Sequence, residues 1–170
     1  MITITTFTGK NFDPFMPDID LIDIVDIAHA LSLICRFGGH CREPYSVAQH
    51  CLLVSSMVPP EYALAGLLHD AAEAYLGDIP TPIKALFPGF KDTELEMLVS
   101  IAEKFEVFGM GADIIKAADR EALKIEMRHL MGGNGPRPVG PAFRVMTWQE
   151  ARDAFLARFM ELRNGPDLWG

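Results

Sequence analysis

Ala63-Leu64-Ala65-Gly66-Leu67-Leu68-His69-Asp70-Ala71-Ala72-Glu73-Ala74-Tyr75-Leu76-Gly77-Asp78 decides how the chain is read. Ala63, Leu64, Leu67, Leu68, Ala71 and Tyr75 recur at spacings of three and four, the period of an amphipathic helix. His69 and Asp70 interrupt that apolar surface. Glu73 lies four after His69 and three after Asp70, so one helix edge can present all three. Gly77 stops the helix, and Asp78 sits on the turn into Ile79-Pro80-Thr81-Pro82. A buried carboxylate without a partner is costly and a cluster of them more so; a cation is the simplest compensation. His and Asp together suit Mn, Fe, Co, Zn or Mg. A bare His-Asp pair reads as a solvated edge beside a core histidine. Embedded in a strongly apolar helix and followed by two further acids, this pair reads as a site.

Upstream, residues 2–7 alternate in the manner of a short edge strand or extended arm, and Gly9 to Pro17 reads as loop. A helix from about Asp20 carries Ile24, Ile27, Ala28, Leu31 and Ile34 on one stripe and ends at Gly38-Gly39. His29 within it reads as a packed histidine. Arg36 beside two glycines can reach an anion at close backbone approach; alone, it would read as a helix-end charge. Ser46-Val47-Ala48-Gln49 is a capping box. It opens a helix to about Val58 that faces Val47, His50, Cys51, Val54 and Val58 inward. His50 gains interest because His69 also points inward from the next helix, which starts at Pro59-Pro60-Glu61.

Downstream, Thr81-Pro82 opens a short helix carrying Lys84. A longer one, about Asp92 to Val107, is expected to bury Leu95, Leu98, Val99, Ala102 and Phe105. Another, about Ala112 to Met131, has Ile115, Ala118, Ala122 and Ile125 as its stripe. Asp119 flanks it, either as an inward acid or as a solvated partner of Arg120 or Lys116. Gly132 to Met146 is a Gly- and Pro-rich connector of a length that is usually functional or disordered. Thr147-Trp148-Gln149-Glu150 is a second capping box, before a last helix to about Arg163 with Trp148, Ala151, Phe155, Phe159 and Leu162 on one side. No repeat or domain boundary interrupts the pattern. The expectation is one all-α domain over 1–170, a bundle of about six or seven helices.

The chain has 170 residues, 15 Lys or Arg against 23 Asp or Glu, and a net charge of −8. No basic run marks a nucleic-acid footprint. Cys35, Cys41 and Cys51 are odd in number and lack a C-x-x-C, which fits a reduced, cytoplasmic setting. Zinc among Cys35, His40, Cys41, His50 and Cys51 matches no finger spacing. The opening residues lack a signal peptide's charged start and apolar run, and no stretch reaches the length of a membrane span.

His50, then His69-Asp70, then Asp119 on a late helix resembles the H…HD…D metal pattern of the HD-domain phosphohydrolases. Arg36-Phe37-Gly38-Gly39, Tyr45-Ser46-Val47-Ala48-Gln49-His50, His69-Asp70-x-x-Glu73-x-x-x-x-Asp78 and Ala118-Asp119-Arg120 are similar to the bacterial and phage branch related to 5′-deoxynucleotidases. The resemblance covers about 26–128, and loosely the final helix at about 148–163. It implies an all-α bundle with one divalent ion held by His50, His69, Asp70 and Asp119. It further implies Glu73 and Asp78 acting on the attacking water and the leaving group, Arg36 and Lys84 gripping phosphate, and Phe37 pressing on the sugar. Close relatives often carry Trp where Phe37 stands, a larger wall against a ribose 2′-hydroxyl. The expected reaction is hydrolysis of deoxynucleoside 5′-monophosphates to deoxynucleoside and phosphate. The alternative is a triphosphohydrolase of the dATP type that releases deoxynucleoside and triphosphate, because the branch shares one motif. A non-catalytic nucleotide- or metal-binding module ranks below both, since binding alone needs no base and acid. A bundle in which His50 and His69 are merely core residues ranks lower still. The resemblance also implies a homo-oligomer, a dimer or larger, with a small-molecule deoxynucleotide as partner and neither nucleic acid nor membrane.

Overall fold

The computed structural model describes residues 3–132 and 143–165. The fold is all-α: helices α1 (Ile24–Leu33), α2 (Val47–Met57), α3 (Ala63–Leu68), α4 (Glu73–Leu76), α5 (Thr81–Lys84), α6 (Phe90–Phe105), α7 (Asp113–Leu130) and α8 (Trp148–Asn164). A two-stranded antiparallel ribbon, β1 (Ile4–Thr5) and β2 (Asn11–Phe12), pairs Ile4 with Phe12 and Thr5 with Asn11. The ribbon's second strand falls in the stretch expected to be loop, where Gly9 at φ 84° makes the turn that joins the strands. Thr8 then anchors the ribbon, donating from its backbone N–H and its hydroxyl to the buried Asp26 carboxylate at 2.7 and 2.8 Å.

Helix α2 is the centre of the bundle and packs against α1, α3, α7 and α8. Its inward Val47, Ala48, Cys51 and Val54 join Leu67, Leu68, Ala71, Phe155 and Ile101 in one continuous core. Truncating a fully buried aromatic such as Phe155 typically costs about 3–5 kcal/mol. Gly66 lets α3 come close to α2. A Cβ there would stand 3.2 Å from Val58 Cγ2 and 3.3 Å from Ser55 Cα. This close approach outweighs the roughly 1 kcal/mol a helical glycine costs relative to alanine.

Both cap signals lie where the sequence places them, with one difference. Thr147 and Glu150 form the full reciprocal box. Ser46 Oγ accepts from the Gln49 N–H at 3.4 Å, but the Gln49 side chain does not return to the Ser46 backbone. Its amide donates to Ser46 Oγ at 3.3 Å and also reaches Met146, accepting from the backbone N–H at 2.7 Å and donating to the carbonyl at 3.4 Å. Gln49 thus ties the segment before α8 to α2.

Three expectations about helix faces and ends need correction. The first helix is shorter than read: a 3₁₀ turn at Ile19–Leu21 precedes it and Leu33 ends it, so Arg36 lies on a separate 3₁₀ turn, Arg36–Gly39. In α6, Met97, Ile101 and Phe105 are buried, whereas Leu95 and Val99 are 61% and 58% exposed. In α8, Ala151, Phe155 and Phe159 are buried and Trp148 is 39% exposed. The Gly132–Met146 connector lies mostly outside the described residues.

Candidate metal centre and cleft

The His69-Asp70 motif sits where the helix tightens. The Ala71 N–H bonds to the Leu68 carbonyl and the Glu73 N–H to that of Asp70, one residue shorter than α spacing. The tightening separates α3 from α4 within the stretch read as one helix. Gly77, at φ 82°, closes α4, and its N–H returns to the Glu73 carbonyl at 2.8 Å.

Four side chains expected as ligands converge. His50 Nε2 lies 3.3 Å from His69 Nε2, 3.5 Å from Asp70 Oδ2 and 3.1 Å from Asp119 Oδ1, and His69 Nε2 lies 3.2 Å from Asp70 Oδ2. Metal–ligand bonds of about 2.0–2.2 Å put adjacent donors roughly 3.0–3.5 Å apart around one ion. His50, His69 and Asp119 thus lie close enough to share one cation, and Asp70 is grouped beside His69. Both rings are oriented for ligation. His69 Nδ1 is 2.8 Å from the Gly66 carbonyl, which can only accept, so the ring proton is on Nδ1 and Nε2 presents its lone pair. His50 Nδ1 is 2.7 Å from Glu126 Oε1, with the same consequence. When the rings are neutral, two imidazole lone pairs face each other beside two carboxylates, which calls for positive charge between them. Without a cation a proton on His69 supplies it: burial opposes that charge, but Asp70 and Cys51 outweigh it and hold the His69 pKa well above the ordinary imidazole value. Burial works to raise the Asp70 pKa, but His69, His50 and Arg36 outweigh it and hold the carboxylate below its usual range. Burial likewise opposes the charge on Asp119, which the His50 contact holds low.

The remaining expected residues line a cleft of about 350 Å³: Arg36, Phe37, Glu73, Asp78 and Lys84 meet Asp70 and Asp119 there. Burial works against the Arg36 charge, but Glu126, Asp70 and Asp78 outweigh it and raise its pKa. Its Nη1 is 3.8 Å from Asp70 Oδ2. Phe37 sits in the left-handed region at φ 56°, a conformation that strains a residue with a bulky side chain and recurs at functional sites. Glu73 is 5% exposed, and its Oε2 has no hydrogen-bond partner among the described residues. Burial first, then Asp70 and Asp78, push its pKa up to about 9. Burial also raises that of Asp78. Lys84 stands between two acids, 3.5 Å from Glu73 Oε1 and 2.6 Å from Glu94 Oε1. It is less available for phosphate than the sequence suggests, because Glu94 on α6 already pairs with it.

His29 lies away from the cleft, stacked on Phe7 with ring centroids 3.7 Å apart, a packed histidine as read. Of the crowded Cys and His residues, His50 is itself part of the centre, and Cys51 stands beside His69 and Asp70. The residue that sequence reasoning missed is Glu126. It is fully buried, and its carboxylate bridges His50 Nδ1 and Arg36 Nε at 2.7 and 3.1 Å. It follows Asp119 by seven residues, two helical turns along the same face of α7, a spacing that could have flagged it.

No family model matches the chain. It is 45% identical over 130 residues to the uncharacterized protein YfdR of Escherichia coli K12, covering 76% of this chain and 73% of that protein. It is 34% identical over 179 residues to the uncharacterized protein RCAP_rcc00048 of Rhodobacter capsulatus, covering 89% and 90%. No helix among the described residues is long and apolar enough to cross a membrane.

Proposed function

The chain belongs to the same family as YfdR, and we propose that it is a metal-dependent phosphohydrolase of the HD type, acting on deoxynucleoside 5′-monophosphates. One observation carries this reading: two of the expected ligands, Asp70 and Asp119, and the buried, half-unpartnered carboxyl of Glu73 line one cleft. A module that only binds a metal needs the ligands but not a second buried acid beside them.

His50, His69, Asp70 and Asp119 would hold the ion. A divalent ion there supplies charge stabilisation to a phosphoryl oxygen and lowers the pKa of water. The chain's own groups do the rest. Arg36, braced through Nε, offers its guanidinium as a fork for the phosphate oxygens. Glu73 takes the proton of the attacking water. Its pKa near 9 reflects burial and the charges of Asp70 and Asp78, and neutralising Asp70 moves it toward the range where a general base works at neutral pH. Asp78, which lines the same cleft, serves the departing 5′-oxygen. Phe37 is the wall on which the deoxyribose rests.

The test is phosphate release from deoxynucleoside monophosphates in the presence of Mn²⁺, Co²⁺ or Mg²⁺, with Glu73→Ala as the control. The wild type is expected to turn over. The variant is expected to keep its metal and helical content while losing about 10²–10⁴-fold in rate. A Glu73→Ala protein within a few-fold of wild type contradicts the assignment.

A further inference from the structure

Glu126 joins two parts of the site that the sequence treats as unrelated. It is 0% exposed. Oε1 is 2.7 Å from His50 Nδ1, and Oε2 accepts from Arg36 Nε–H at 3.1 Å. Two donors from two segments therefore converge on one carboxylate. Arg36 cannot accept a hydrogen bond, so the geometry requires an acceptor at Oε2; at Oε1 an acceptor keeps the His50 proton on Nδ1.

We propose that Glu126 is a positioning residue that sets the His50 tautomer for metal ligation and, through the same carboxylate, aims Arg36 into the cleft, so that the metal centre and the anion grip are built as one unit. The inference rests on the phosphohydrolase reading for what Arg36 grips, but not for how His50 is oriented.

The amide of glutamine makes the argument sharp. Gln at this position offers one carbonyl oxygen to two donors. If that oxygen stays with Arg36, the NH₂ faces His50 Nδ1 and drives the ring proton to Nε2, the atom that must bear a lone pair. Removing the Arg36 donor frees the carbonyl to turn back to His50 Nδ1–H.

The experiment measures Mn²⁺ dissociation constants by titration, and histidine tautomers in the metal-free protein by ¹⁵N NMR. Glu126→Gln is expected to weaken Mn²⁺ binding about 10–100-fold, the usual cost of losing a partner behind a ligand. It should also move His50 to the Nε2–H tautomer while His69, held by Gly66, stays Nδ1–H. Arg36→Met/Glu126→Gln is expected to recover most of that affinity. Unchanged Mn²⁺ affinity in Glu126→Gln overturns the proposal, and so does a loss that the second substitution does not recover, which would mark mere structural damage. If Glu126→Gln does not fold, Arg36→Met/Glu126→Gln is compared with Arg36→Met/Glu126→Leu. Both lack the two charges, and only the first keeps an acceptor for His50. At least tenfold tighter Mn²⁺ binding by the Gln form is expected, and equal binding overturns the proposal. A wild type that binds no Mn²⁺ refutes the metal reading itself, while a wild type that binds it but hydrolyses no nucleotide refutes the phosphohydrolase reading and leaves the tautomer result standing.

Discussion

His50 Nε2 on α2 and Asp119 Oδ1 on α7 stand 3.1 Å apart, and His69 stands close to both. An acid that local sequence leaves undecided between core and solvent is thus placed by the packing of α7 on α2. The expected stoichiometry is one divalent ion per chain. His69→Ala and Asp119→Ala proteins, folded by circular dichroism, are each expected to bind Mn²⁺ at least tenfold more weakly. Full retention of metal in both would remove the assignment.

Arg36 depends on its planar group. Nε is committed to Glu126 and Nη1 is directed toward Asp70, a division of labour that a lysine ammonium cannot copy. Arg36→Lys is expected to lower kcat/KM at least tenfold, about 1.4 kcal/mol of barrier. An unchanged kcat/KM would return Arg36 to the role of a charge near a helix end.

How much of this was legible before the structure depends on what signal each residue carries. His50 and His69 fall in stretches of strong apolar periodicity, so their inward direction could be read, whereas Asp119 stays open between core and solvent until α7 packs on α2. The face of α6 could not. Leu95, Met97, Leu98, Val99, Ile101 and Ala102 form a nearly continuous apolar run, which fits more than one helical face, and the packing of α6 on the Ile19–Leu21 turn selects Met97 and Ile101. Glu126 was hidden for a different reason. An acid between Ile125 and Met127 on an exposed-looking helix reads as solvated, and its partners Arg36 and His50 come from distant sequence. Gln49 shows the same limit in small form, because its amide stays on Ser46 and reaches the distant Met146 as well.

Glu73 ties stability to pH in the metal-free protein. Its folded pKa, about 9, lies above the ordinary value of 4.5, so folding favours the neutral acid. Its stabilising contribution is complete below pH 4.5 and is lost as pH rises toward 9. Glu73→Gln, which stays neutral, is expected to unfold at a higher urea concentration than wild type at pH 8.5, with the gap shrinking toward pH 5. Both measurements are made in chelator. A gap independent of pH would mean that Glu73 is ionised throughout.

The account places phosphate attack beside the ligand set, with Arg36 on the same phosphate and Phe37 against the sugar, so that the phosphorus nearest the sugar is the one attacked. Chromatography of Mn²⁺-dependent reactions with deoxyadenosine mono- and triphosphate tests this most directly. The expected organic product is deoxyadenosine, with orthophosphate released from the monophosphate and intact triphosphate from any triphosphate consumed. Accumulation of deoxyadenosine diphosphate, or an absence of turnover in metal-loaded protein, would contradict it.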